Sequence, residues 1–306
     1  MAIAARLSEA WDSDIAHSFR TSPVAIVSAL VTLILFAGAL FAPLIAPYDP
    51  FDPATINLMN GRTPPFSANA FTGDYFVLGT DNQGRDMFSA ILYGLRISLF
   101  VGFSAVLFAM VLGVTLGLIA GYAGGWADTI IMRVADVQLT FPSILLAMLI
   151  SGVAQVWVPP GSRDEAAIIV LIVAIGLSDW VQFARVVRAS VLVERSKEYV
   201  AAARLIGRGP FSIMIRHVLP NTLSPVLVIA TIGLALAIIA EATLSYLGVG
   251  VPPTQPSLGT LVRVGQDFMW SERWILMSSG LTLLVLALSV NLLGDWLRTA
   301  LNPRLR

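Results

Sequence analysis

Residues 97–127 read ISLFVGFSAVLFAMVLGVTLGLIAGYAGGWA, a run with no charged side chain. A bilayer core about 30 Å thick is crossed by about 20 apolar residues of helix. This run is long enough to cross it with tilt, or to extend beyond it. Outward from it, five more runs of the same character appear. Residues 24–42 end at Pro43 and Pro47. Residues 137–158 carry Pro142 near their start, where it kinks the helix or marks its true beginning. Residues 166–184 hold one charge, Asp179, and residues 221–247 hold one, Glu241. Residues 274–294 complete the set. The expected fold is an all-α integral membrane protein with six transmembrane helices.

Composition agrees and removes several function classes. Of 306 residues, 57% are hydrophobic and 12% charged, against about 25% charged in an ordinary soluble domain. Mean hydropathy is +0.80. The 19 basic and 19 acidic residues cancel, so no overall field would draw nucleic acid. The absence of cysteine excludes disulfides, thiolate metal sites and cysteine nucleophiles. His17 and His217 both fall outside the apolar runs, which leaves no histidine at membrane depth for a serine or metal-dependent protease. Lys197, the sole lysine, follows Arg195 and Ser196, so no phosphate-cradling P-loop exists. Asp179 and Glu241 are expected at opposite ends of their helices, too far apart for an aspartyl protease. A self-sufficient carrier would need coupling charges near the midplane, which the same two residues serve poorly. An enzyme is not expected.

Charge in the connecting segments orients the spans, because Lys and Arg near span ends stay in the cytoplasm. Residues 185–220 carry Arg185, Arg188, Arg195, Lys197, Arg204, Arg208 and Arg216 against Glu194 and Glu198. That loop is expected inside. Residues 43–96 carry Asp49, Asp52, Asp74, Asp81 and Asp86 against Arg62, Arg85 and Arg96, and are expected outside. With six spans both termini are then cytoplasmic, in keeping with Arg298, Arg304 and Arg306. Residues 1–23, with Glu9, Asp12 and Asp14, form a polar lead into an uncleaved first helix, since the apolar run that follows exceeds the roughly 7–15 residues of a secretory signal core. Residues 24–306 make the transmembrane domain. Pro43, Pro47, Pro50, Pro53, Pro64 and Pro65 predict an exterior loop with short helical pieces rather than a packed domain.

The interior loop is too polar to span and strongly patterned. Residues 198–221 read EYVAAARLIGRGPFSIMIRHVLPN. Residues 198–206 favour helix, Gly207 and Gly209 can supply a left-handed stop, and residues 211–218 form a second short helix before Pro220 and Asn221 open span five. Two readings stand. The loop lies on lipid headgroups, or it is a docking surface for a cytoplasmic partner, with Ala201, Ala202 and Ala203 permitting close approach and arginines supplying polar contacts.

Ala202 and Ala203 before Gly207, with Leu219 and Pro220 twelve and thirteen residues after it, resemble the EAA loop of permease subunits in binding-protein-dependent ABC importers. The motif's glutamate position falls on Ala201, with Glu198 one turn earlier, and its usual isoleucine position holds His217. Both departures are typical of the dipeptide and oligopeptide branch. Residues 78–86 (LGTDNQGRD) with 94–99 (GLRISL) resemble the stretch leading into span two of that branch's C-type subunit. Residues 124–128 (GGWAD) with Met132, Arg133, Asp136 and Pro142 are similar to its junction between spans two and three. Residues 241–248 (EATLSYLG), 293–298 (LGDWLR) and 301–306 (LNPRLR) resemble its outer and C-terminal signatures.

The resemblance implies half of a translocation pathway for dipeptides or oligopeptides, in a prokaryotic inner membrane. Nickel, glutathione and oligosaccharide importers share the machinery. It implies a second homologous permease, two cytoplasmic ATPase subunits that hold ATP and Mg²⁺, and an extracytoplasmic binding protein. This chain would carry no cofactor of its own. The loop would be the coupling helix seated on the ATPase, carried by Glu198, Ala201, Ala202, Ala203, Arg204, Gly207, Arg208, His217, Leu219 and Pro220.

Other residues keep two readings each. Gly113, Gly117 and Gly121 recur every four residues, a spacing for close helix packing or for substrate passage. Asp81, Arg85 and Asp86 either cap their own loop or contact the docking binding protein. Glu241 lies about 24 Å along span five at about 1.5 Å per residue, at the outer interface or in an outer gate. An ionisable group in lipid costs at least about 2.5–3.5 kcal/mol, so it must face water, a partner or the interface. Asp179 is expected at the inner interface with a structural role.

Overall fold

The structure, a computed structural model, describes residues 14–50, 52, 56–252, 254–255 and 257–300. Glu9, Asp12, Pro53 and residues 301–306, with Arg304 and Arg306, lie outside the described residues. The fold is mostly helical. In chain order the helices are α1 (Asp14–Thr21), α2 (Pro23–Leu40), α3 (Met87–Ala123), α4 (Gly125–Leu139), α5 (Ser143–Trp157), α6 (Arg163–Glu194), α7 (Glu198–Leu205), α8 (Pro210–Tyr246), α9 (Leu258–Asp267) and α10 (Arg273–Ala300). Among the described residues α2, α3, α6, α8 and α10 are each long and apolar enough to cross a membrane. The pair α4 and α5 is bent by 97° and makes a sixth crossing if counted as one span.

Of the two outcomes expected of Pro142 in the third span, the structure shows the second, the true beginning of the helix. Residues 137–158 are not one helix: α4 ends at Leu139, and Pro142 caps the start of α5. Proline has no N–H to give and disfavours helix in the residue before it, so the chain breaks there. The second run also divides. Gly124 and Gly125, at φ +65° and +52°, turn the chain out of α3 into α4. The basic loop differs from expectation too, because residues 211–218 are no separate helix. They run on into span five as α8, through a π-turn at Met214–Val218. Gly209, at φ −64°, is not left-handed but sits before the first turn of α8.

The chain divides into two units, Met1–Arg96 with Val264–Arg306, and Ile97–Arg263. In the first, α2 starts with Ser22 as its cap, whose Oγ accepts from Ala25 N at 3.3 Å, and with Pro23 at its first position. It packs antiparallel on α10: Phe19, just before it, meets Trp296 edge-on at 5.1 Å. Ala25 and Ser28 are buried, whereas Leu33 and Leu40 are exposed, as suits a helix with lipid on its outer side. Residues 43–96 have an expected short helical piece, a turn at Leu58–Asn60, and an unexpected two-residue antiparallel pairing of β1 (Ser67–Ala68) with β2 (Tyr75–Phe76). They are more tightly knit than expected. Thr63 N donates to Thr80 Oγ1 at 2.8 Å, Asn69 Nδ2 to Thr63 Oγ1 at 2.8 Å, and Trp274 Nε1 of α10 to Thr80 O at 3.1 Å.

In the second unit α6 is central, flanked by α5, α8 and α4. Its contact with α3 runs through the three glycines. A Cβ built on Gly113 would sit 2.5 Å from both Phe183 Cβ and Trp180 O, and one on Gly121 would sit 2.8 Å from Val191 Cβ. Backbones this close leave room only for hydrogen, so the packing reading of Gly113, Gly117 and Gly121 holds. Leu171, Ile175, Val187 and Val191 of α6 are buried in the resulting core with Val101, Ala105, Val226 and Leu244.

Candidate functional site

The basic loop is built around α7. Val200 and Ala203 point inward and are buried, while Glu198, Ala201, Ala202 and Arg204 are exposed. After Leu205 the chain reverses at Gly207, φ +79°. Gly207 N donates to Arg204 O at 3.0 Å and Arg208 N to Ala203 O at 3.1 Å, the two bonds of a Schellman stop. Only the left-handed conformation closes both, which is why glycine stands there. On either side of the stop Leu205, Ile206 and Phe211 are 90%, 79% and 72% exposed. His217 and Leu219 are half-buried, and Arg208 and Pro220 are exposed. The named loop residues therefore fall into an outward face and a set that roots it.

Roots that sequence reasoning missed lie at the ends of α6 and α8. Tyr199 Oη donates to Glu194 Oε2 at 2.6 Å, Lys197 Nζ pairs with Glu194 Oε1 at 2.6 Å, and Asn221 Nδ2 donates to His217 O at 2.7 Å. Burial, and then the bond to Glu194, hold the Tyr199 phenol above its usual range, so it stays a neutral donor. Farther along α6, both nitrogens of an Arg188 fork reach the Asp128 carboxylate of α4, Nη2 to Oδ2 at 2.6 Å. Arg185 pairs with Asp136 at 2.6 Å. Gln138 of α4 donates to Leu177 O at 2.8 Å and accepts from Trp180 Nε1 at 2.8 Å. The helix-breaking GGWAD stretch thus ends in a lateral helix clamped onto α6.

Glu241 is fully buried within the chain. Its carboxylate accepts from Ser98 Oγ of α3 at 2.6 Å and from Ser245 Oγ, one turn on, at 2.7 Å. Each serine oxygen accepts in turn, Ser98 from Leu258 N at 3.2 Å and Ser245 from Val251 N at 3.1 Å. One carboxylate therefore fastens α3, α8 and the start of α9. α6 runs on to Glu194, so Asp179 sits near the middle of the helix. It is half-buried, with no hydrogen bond or ion pair among the described residues.

Between α2 and α3, Asp81, Arg85 and Asp86 are buried at 0%, 8% and 4% exposure. Asp81 Oδ1 accepts from Gln83 N at 2.8 Å and Arg85 N at 2.9 Å, and Oδ2 accepts from Arg85 Nε at 2.6 Å. Asp86 Oδ2 accepts from Ser89 N at 2.9 Å, capping the start of α3. These bonds match the loop-capping reading. Among the described residues no three His, Asp or Glu gather in a way that would hold a metal ion.

Residues 113–306 match the family model of the binding-protein-dependent transport system inner membrane component, and residues 10–65 match that of the N-terminal TM domain of oligopeptide transport permease C. A di/tripeptide transport system permease protein of Pseudomonas aeruginosa is 37% identical over 98% of this chain and 93% of its own. A glutathione transport system permease protein of Pectobacterium atrosepticum is 37% identical over 94% and 89%. The fold is similar to that of a chain of the MetNI methionine ABC transporter in an inward-facing conformation, with TM-score 0.52 and 21% identity over 70% of this chain and 97% of that one. A bent helix pair, a lateral clamp and an exposed loop rooted on two spans thus coincide with a match across nearly the whole sequence, and the chain belongs to the family of inner-membrane permease components of binding-protein-dependent transport systems.

Proposed function

We propose that the chain is the C-type permease subunit of a peptide importer, forming half of the pathway for dipeptides or oligopeptides. The observation that carries this reading is the exposed trio Leu205, Ile206 and Phe211 on a basic loop. Three large apolar side chains held out by a rigid stop call for a partner surface. An ATPase subunit is that partner, with α7 seated in it and ATP and Mg²⁺ held there rather than here. With α4 and α5 counted as one span the crossings number six, both termini are cytoplasmic, and residues 43–96 face outward. Residues 1–23 are then a cytoplasmic lead and residues 24–306 the permease domain, with the coupling loop at 185–220. A second homologous permease completes the pathway. A binding protein delivers cargo to the exterior face, whose shape Asp81, Arg85 and Asp86 maintain. Glu241 fastens the outer gate. The chain acts by alternating access, with ATPase closure moving the loop and substrate loading favouring closure in return.

Because the sequence has no cysteine, a single Leu205→Cys gives a unique thiol for cross-linking in native membranes. Adducts with a P-loop ATPase are expected from Leu205→Cys and not from Leu58→Cys on the exterior segment. An ATPase adduct from the exterior position, or none from either, would overturn the docking assignment. The glutathione permease relative, at 37% identity, favours glutathione as the second reading for cargo.

A further inference from the structure

The bonds around Tyr199 join three elements at one oxygen. The phenol has one proton, and at 2.6 Å Glu194 Oε2, at the end of α6, takes it. Lys197 holds the other carboxylate oxygen at 2.6 Å, which leaves Oε2 free for the phenol. Tyr199 Oη in turn accepts from Asn221 Nδ2 of α8 at 3.3 Å, and lies 3.3 Å from the His217 carbonyl to which the same amide donates. His217 belongs to the π-turn Met214–Val218, a wide turn of a kind that collects at functional sites. A hydrogen bond to a charged acceptor is roughly twice as strong as a neutral one, so the α7 to α6 link is the stiffer and the α7 to α8 link the softer.

We propose that the Tyr199 hydroxyl is the positioning group that passes a displacement of α7 to the ends of α6 and α8. This rests on α7 being the coupling helix. A push on the exposed face of α7 reaches α6 through Glu194, and reaches α8 at its π-turn, through Asn221 and His217 O. Without the hydroxyl α7 keeps its fold and its outward face, since Val200, Ala203 and the Gly207 stop are untouched. It loses its polar tie to both spans.

The test uses the full complex with its ATPases in proteoliposomes and the binding protein carrying its native load. Tyr199→Phe should still co-purify with the ATPases, while stimulation of ATP hydrolysis by the loaded binding protein falls about five-fold or more. Asn221→Ala should fall less, and the double variant no further than Tyr199→Phe alone, because both act through one node. If Tyr199→Phe fails to assemble, Glu194→Gln, which keeps an acceptor for the phenol, should lose stimulation by a smaller factor. Wild-type stimulation in Tyr199→Phe, or in Glu194→Gln where that stands in for it, or independent additive losses in the double variant, would overturn the proposal. A wild-type complex with no ATPase bound would instead overturn the coupling reading beneath it.

Discussion

Gly113→Ala sets two physical terms against each other. Alanine is the better helix former by about 0.8–1.0 kcal/mol, so a local account predicts a more stable protein. The packing account predicts the reverse. The added Cβ would lie 2.5 Å from Phe183 Cβ and Trp180 O and 3.0 Å from Ala184 N, where ordinary contacts start at 3.4 Å. Two of these neighbours are backbone atoms of α6 and cannot rotate away. The helices must part by about 1 Å, which also loosens the contacts at Gly117 and Gly121. Overpacking of this kind costs about 1–3 kcal/mol, enough to reverse the propensity gain. Gly152 in α5, where an added Cβ meets nothing within 4 Å, is the control. In thermal unfolding of the purified protein in mild detergent, Gly113→Ala should melt lower than wild type, at about 2–4 °C per kcal/mol. Gly152→Ala should match wild type or exceed it. Equal or raised Tm in Gly113→Ala would refute the close backbone contact between α3 and α6.

Three further predictions follow from single side chains. Glu241→Gln keeps one acceptor and places an amide where Ser98 or Ser245 donates, a loss of about 1–3 kcal/mol; uptake should drop with assembly retained, and wild-type uptake and ATPase rates would return Glu241 to a purely structural role. Gly207→Pro cannot adopt φ +79° or give the N–H that Arg204 O accepts; the variant should insert normally but lose stimulated ATP hydrolysis and uptake together, and unchanged coupling would refute the role of the stop. Asp179→Asn removes a carboxylate with no partner among the described residues, so thermal unfolding should show a gain of order 1 kcal/mol, and a fall in Tm would mean that a group outside this chain compensates the charge.

The legible parts of the fold were those set by local composition. Spans with no charge, or with one, announced themselves at α2, α3, α6, α8 and α10, because bilayer thickness acts on every stretch alike, although α3, α6 and α8 each run about ten residues past the apolar run at one end. The junction at Pro142 was visible as a break. The 97° bend was not, since residues 137–139 are as apolar as a span while α4 before them is amphipathic. α9 went unseen because it is short and carries Arg263 and Asp267, the pattern of an ordinary surface loop. The same division holds at the sites. Gly207 was readable as a stop because its chemistry is local. The clasp at Glu241 was not legible because its partner Ser98 lies 143 residues away, and no spacing rule reports such a pairing. Tyr199 and Asn221 stood inside the quoted loop, yet their bonds to Glu194 and His217 O depend on how three helix ends converge. Their proximity in sequence to Gly207 was the only signal.

The central claim is that this chain moves cargo only with energy supplied by other subunits. Its most direct test is gentle detergent extraction of the tagged protein from its native membrane, with mass spectrometry of what stays bound. Recovery of a second permease of the same family with two P-loop ATPases is the predicted result. Recovery of the chain alone, or of a homo-oligomer that moves solute in vesicles without ATP, would contradict it.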